Sequence, residues 1–332
     1  MSKIKNIIRT PSLLLGIYRK LSAQKRFLQQ HIVPLFQLPN DGSLDESDFK
    51  KITHYYGLAV PAILGEAFCA LHGKKMTEQE RIASTNQGAM TGLFDDFFDK
   101  QNLSNDALKS FIENPITITG NASNEKLFLQ LYNNALQNCP DNNGMLKQLY
   151  KVYDAQVESK KQAIAGLTAE EIKNITLKKG GESLLFYRTA FGTTLTKGEE
   201  IMLFKLGGLM QLANDIFDVY KDYKGGIHTL MTTTKKTDEV RQLFKQLLQE
   251  GYALAYKTGY PAQNVYRFLQ IISIGIFSRC FVCLNHLEKA ESVSDGIFTP
   301  SIYTRQQLIC DMDKIGAVLR SVKYHIKYCR TY

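Results

Sequence analysis

Three aspartates stand among three phenylalanines in LFDDFFD, Leu93 to Asp99. Aspartate is a poor helix former and costly to bury, whereas phenylalanine belongs in cores. Asp95 and Asp99 are four residues apart and share one helical face. Two carboxylates so placed repel each other unless a cation lies between them. A second acidic stretch, QLANDIFDVYKD at 211–222, repeats the arrangement. Its Asn214, Asp218 and Asp222 fall at i, i+4 and i+8, again on one face. Ile216, Phe217, Val219 and Tyr220 run between them and would hold the helix in a core. Donors that are all oxygen suit a hard cation, and magnesium is the natural one.

Magnesium usually combines a few carboxylates with phosphate oxygens. The expected ligand is therefore a phosphate or diphosphate, clamped between two acidic helices. Basic groups should assist. Lys221 lies inside the second stretch, and Lys178, Lys179 and Arg188 surround Gly180–Gly181. A helix restarting after a break at that glycine pair would aim free N–H groups at the anion. Asp96 falls off the Asp95/Asp99 face and is expected to be structural. Carboxylate-bridged di-iron bundles need Glu-x-x-His pairs, which this sequence lacks.

The elements that must position these residues read as helices nearly throughout. Ile315, Val318, Leu319, Val322 and Ile326 recur at three- and four-residue steps. Residues 240–257 and 264–289 are also helical in pattern. The second is apolar on most sides and central, and Arg267, Gln270 and Arg279 mark it as a buried core helix rather than a membrane span. Breaks are expected at Pro39–Gly42, Pro140–Gly144, Gly180–Gly181, Gly225–Gly226 and Ser294–Gly296. PITITG at 115–120 is the one stretch with strand-like alternation. The expected fold class is all-α, a single helical bundle over 41–332 preceded by a basic helical segment over 1–40.

That segment carries Lys3, Lys5, Arg9, Arg19, Lys20, Lys25 and Arg26 and no acid, a large part of a net charge of +9. Such a face is either solvated or leans weakly on an anionic membrane. Its apolar run, Leu13 to Ile17, is too short for a secretory signal, which with six scattered cysteines points to free thiols in the cytoplasm. Cys280 and Cys283 form a CxxC inside an apolar run and read as core rather than a zinc site. Nucleic acid is not expected as a partner, because the excess charge does not account for two acidic motifs.

DDFFD at 95–99 resembles the first aspartate-rich motif, DDxxD, of the class I isoprenoid synthases. NDIFDVYKD at 214–222 is similar to the second metal motif of class I terpene synthases, NDxxSxxxE, with Asp218 and Asp222 in place of the hydroxyl and the glutamate. The same stretch resembles the QLTNxxRDxxxD segment of phytoene and squalene synthases, and the second DDxxD of chain-elongating prenyltransferases. After Asp99 come Lys100, Gln101 and Asn102, without the arginine pair of the elongating enzymes.

The resemblance implies an all-α bundle around a central cavity and an enzyme that ionises an allylic prenyl diphosphate with three magnesium ions. Asp95 and Asp99 would hold two ions, and Asn214, Asp218 and Asp222 the third. Lys221, Arg188 and Lys179 would bind diphosphate oxygens. Phe94, Phe97, Phe98, Phe186, Tyr187, Phe217 and Tyr220 are the aromatic faces that could steady a carbocation. A terpene synthase or cyclase, monomeric or homodimeric, is the leading expectation. Head-to-head transfer, chain elongation and non-catalytic isoprenoid binding are the alternatives.

Overall fold

A computed structural model of the chain describes residues 2–37, 39–99, 103–312 and 314–329. Twelve helices carry most of it: α1 (Ser2–His31), α2 (Glu78–Asp99), α3 (Asn105–Glu113), α4 (Ser123–Asn138), α5 (Asn142–Ser159), α6 (Ala169–Arg188), α7 (Lys197–Phe217), α8 (Val219–Lys224), α9 (Thr237–Ala255), α10 (Ala262–Ile272), α11 (Ser278–Ser292) and α12 (Ile315–Tyr328). Short helical turns fill the connections. No strand occurs among the described residues, so the class is all-α. PITITG is a turn instead, closed by the amides of Thr117 and Ile118 on the Asn114 carbonyl.

The chain forms two compact units. One comprises 1–11, 157–185 and 195–332; the other comprises 12–156 and 186–194. Within the basic segment, α1 spans Ser2–His31 and is divided between the units at Pro11 and Ser12.

In the first unit α7 is central. Gly180 on α6 lies against Gly207 on α7 so closely that a Cβ on either would stand 2.2–2.3 Å from the other's carbonyl oxygen. The expected break at Gly180–Gly181 is thus overturned: α6 runs unbroken through both residues. Their small size serves a backbone-to-backbone helix contact, and no helix N-terminus forms there. α9 packs on α7 and also sets Phe244 against Phe277 and Phe281.

α10 and α11 are joined by a π-helical turn, Ser273–Phe277, into a single run from Ala262 to Ser292. This run is long and apolar enough to cross a membrane, with a mean hydropathy of 1.6. Yet 72% of its apolar window is buried within the protein, as a core helix requires. Cys280 and Cys283 sit wholly inside it, with their thiols directed at the carbonyls of Ile276 and Ile216.

In the second unit α2 packs along α4. Phe94, Phe97 and Phe98 occupy i, i+3 and i+4 and are all buried, meeting Phe128, Phe111 and Tyr153. Each such ring contributes about 1.5–3 kcal/mol on burial. Gln24 of α1 donates to the Gly57 carbonyl at 3.1 Å and to the Thr85 hydroxyl at 2.9 Å, tying α1 to the 46–65 segment and α2.

Candidate functional site

The second acidic motif lies in the first unit, at the join of α7 and α8. The expected single helix is interrupted at Asp218, whose backbone leaves helical geometry (φ −92°, ψ 10°). The register nevertheless survives. The Asp218 amide donates to the Asn214 carbonyl at 2.8 Å, and the Asp222 amide to the Asp218 carbonyl at 2.9 Å. Asn214, Asp218 and Asp222 therefore remain stacked as a ladder, and Asn214 Nδ2 reaches Asp218 Oδ2 at 3.5 Å. Ile216 and Val219 are fully buried and fix the join. Gly226, in the left-handed region at φ 68°, ends the element.

The ladder is short of positive charge. Asp218 and Asp222 are half-buried. Burial raises the Asp218 pKa, and burial together with the charges of Asp215 and Asp218 lifts Asp222 to about 8. Lys221 acts against this at both carboxylates, and Lys179 at Asp222. The expected basic residues Lys179 and Lys221 are thus near the expected ligands. Lys178 is instead paired with Glu158 at 2.7 Å.

Asp215 was not among the expected residues, yet it is the most deeply buried carboxyl here. Burial raises its pKa to about 6. Gln211 Nε2 donates to it at 2.9 Å and the Thr176 hydroxyl at 3.1 Å. Its sequence signal was its place within Asn214–Asp215, one step off the ladder's face and so turned inward.

Two carboxylates, one amide and an excess of negative charge fit a hard divalent cation in kind. Among the described residues no three His, Cys, Asp or Glu side chains gather as a complete cage. Magnesium commonly takes its remaining ligands from water and phosphate. The chemistry this arrangement can perform is capture of a metal-bound anion.

The first motif lies in the second unit, and Asp95 and Asp96 part company there. Asp96 is buried and ion-paired with Lys51, whose Nζ lies 2.5 and 2.6 Å from its two oxygens. This is the structural role expected of it. Asp95 is half-buried and accepts a hydrogen bond from Gln156 Nε2. Burial, with a smaller contribution from the Asp95 charge, pushes the Tyr187 phenol up, and that phenol donates to Thr91 at 3.0 Å. The Asp99 side chain and residues 100–102, where an arginine pair would fall, lie outside the described residues.

Arg188 is not placed as a diphosphate ligand. It is buried at the end of α6, donating to the Phe191 carbonyl at 3.0 Å and to Thr193 at 2.8 and 2.9 Å. Its guanidinium closes the 189–193 loop.

Of the seven aromatics expected near the motifs, Phe94, Phe97, Phe98, Phe186 and Tyr187 are core. Phe217 and Tyr220 are half-buried. Tyr220 already carries cations over its ring, with Arg305 at 5.8 Å and Lys224 at 6.0 Å. Arg305 also lines a cleft of about 980 Å³ beside α11, together with Cys310, Lys314 and Arg320. None of Asn214, Asp218 and Asp222 lines that cleft.

No protein-family model matches the chain, and no curated protein matches it. Among solved structures it is similar to a dehydrosqualene synthase crystallised in complex with ligand, at 12% identity and a TM-score of 0.46, over 96% of this chain and 100% of that one.

Proposed function

We propose that the chain is a magnesium-dependent class I isoprenoid synthase of the terpene synthase kind, acting on an allylic prenyl diphosphate. The observation that carries this reading is the ladder across α7 and α8. An amide and two carboxylates are stacked in register there, with Lys179 and Lys221 beside them. Asn214, Asp218 and Asp222 are the proposed ligands on that ladder, and Asp95 and Asp99 those on α2.

Magnesium, when bound, neutralises diphosphate oxygens and so eases departure of the diphosphate. Lys221, an exposed residue, and Lys179 donate to the same oxygens as charge develops on them. Asp215, fixed by Thr176 and Gln211, orients the ladder from behind without meeting substrate. Gln156 restrains the rotamer of Asp95. Arg188 is left out of the proposed binding set, because it is buried and its bonds to Phe191 and Thr193 close the 189–193 loop.

Incubating the full chain with magnesium and allylic prenyl diphosphates of increasing length tests the reading. Hydrocarbon or alcohol products with release of inorganic diphosphate are expected. A single product joining two substrates head to head would assign the sister chemistry of the squalene and phytoene synthases. Absence of turnover on every chain length, with magnesium present, would refute the proposal.

A further inference from the structure

Two helices of the first unit are packed the wrong way round for a protein in water. At its N-terminal end α1 buries Asn6 and Thr10, both polar, and exposes Ile4, Ile7 and Ile8 by 56–72%. α12 does the same. It buries Ala317, Ser321 and His325, while Ile315, Val318 and Leu319 are 42–79% exposed. The N-terminal half of this helical repeat therefore faces outward, while Val322 and Ile326 further along are half-buried. An amphipathic helix normally turns its apolar stripe to the core.

The two inverted helices meet. Asn6 Nδ2 donates to the Cys329 carbonyl and, at 3.4 Å, to that of Ile326, and the Tyr266 hydroxyl donates to Asn6 Oδ1. These bonds explain how polar faces came to be buried. They leave the aliphatic stripes without an explanation inside the unit.

The flanks of the stripes indicate the occupant. At 100° per residue, Lys5 borders the α1 stripe on one side and Lys323 borders the α12 stripe on the corresponding side, with Arg9, Lys327 and Arg320 further round on that same side. All five are exposed, and the Arg9 guanidinium lies 5.4 Å over the Tyr266 ring. No acidic residue occurs in 1–40 or after Asp313. A second copy of this face would bring like charges together, whereas an anionic lipid surface complements it.

We infer that α1 and α12 form an interfacial docking surface for an anionic bilayer. The isoleucines and Leu319 enter the boundary between headgroups and acyl chains, and the flanking lysines and arginines reach lipid phosphates. This inference does not rest on the proposed chemistry, since binding is read without turnover.

Co-sedimentation of the full chain with phosphatidylcholine vesicles, with and without phosphatidylglycerol, tests it. Roughly tenfold or tighter partitioning onto the anionic vesicles is expected, weakened by high salt. Ile8→Asp combined with Leu319→Asp should reduce that binding by roughly tenfold or more. Lys323→Gln, a surface change that leaves the apolar stripe intact, should weaken it by several-fold. Thermal melting of each variant checks the fold. No partitioning, equal binding to neutral and anionic vesicles, or undiminished binding by Ile8→Asp/Leu319→Asp would each overturn the inference. So would a wild-type dimer in sedimentation velocity that these substitutions dissociate while vesicles capture nothing.

Discussion

Within LFDDFFD, adjacent residues of like charge have different tasks. Asp96 is buried against Lys51, while Asp95 stands half-exposed beside Gln156. Removing one partner of a mostly buried ion pair leaves an uncompensated charge. Asp96→Asn should therefore lower unfolding free energy by about 2–4 kcal/mol in urea titration. Asp95→Asn should change it by less than about 1 kcal/mol. Equal losses would show that the two carboxylates are not divided in this way. The division was legible from spacing alone, since Asp96 lies off the 95/99 face. Arg188 was not legible. A basic residue near an acidic motif gives no sign in sequence that three acceptors of its own loop will surround it.

At the scale of elements, glycine meant two different things. Gly225–Gly226 ends a helix, as expected, through a left-handed residue. Gly180 instead allows α6 and α7 to touch at backbone distance, and so does Gly207. Gly207→Ala should cost about 3 kcal/mol or more, because its methyl would meet a carbonyl rather than a movable side chain. Gly16→Ala on α1 meets nothing within 4 Å. It should instead stabilise by about 0.5–1 kcal/mol. Melting temperatures of the two variants check the contrast, and a neutral Gly207→Ala would deny the close crossing. One sequence could not distinguish these roles, since a breaking glycine and a packing glycine differ only in what lies opposite. Asp218 was misread for a similar reason. Strict i, i+4 spacing suggested one helix, and the join at Asp218 preserves that spacing while changing the backbone.

At the scale of the whole molecule, the all-α class was legible because helical periodicity is sustained along most of the chain. The burial pattern of α12 was not, because periodicity identifies an apolar face and does not say that it faces inward. His325 shows the consequence. It occupies the buried side, bonded to the Ser273 hydroxyl at 2.9 Å, and burial holds its pKa down to about 4 from 6.5. The unfolded chain then takes up a proton below pH 6.5 that the folded chain refuses until about pH 4. Stability is full above the upper value and is lost as pH falls through this window. The loss amounts to about 2 kcal/mol by pH 5. His325→Gln should remove that share of the slope in urea titrations at pH 7 and pH 5. An unchanged slope would show that His325 is not held neutral.

The proposed function concentrates on Asn214, Asp218 and Asp222, so the most direct measurement is magnesium-dependent release of inorganic diphosphate from allylic prenyl diphosphates. Wild type is compared with Asp218→Asn/Asp222→Asn under the same conditions. The account predicts release by the wild type and a fall of about 10²–10³-fold in the variant, with the melting temperature held or raised because burial disfavours the ionised form of both carboxyls. Undiminished release by the variant, or no release by the wild type from any prenyl diphosphate, would contradict it.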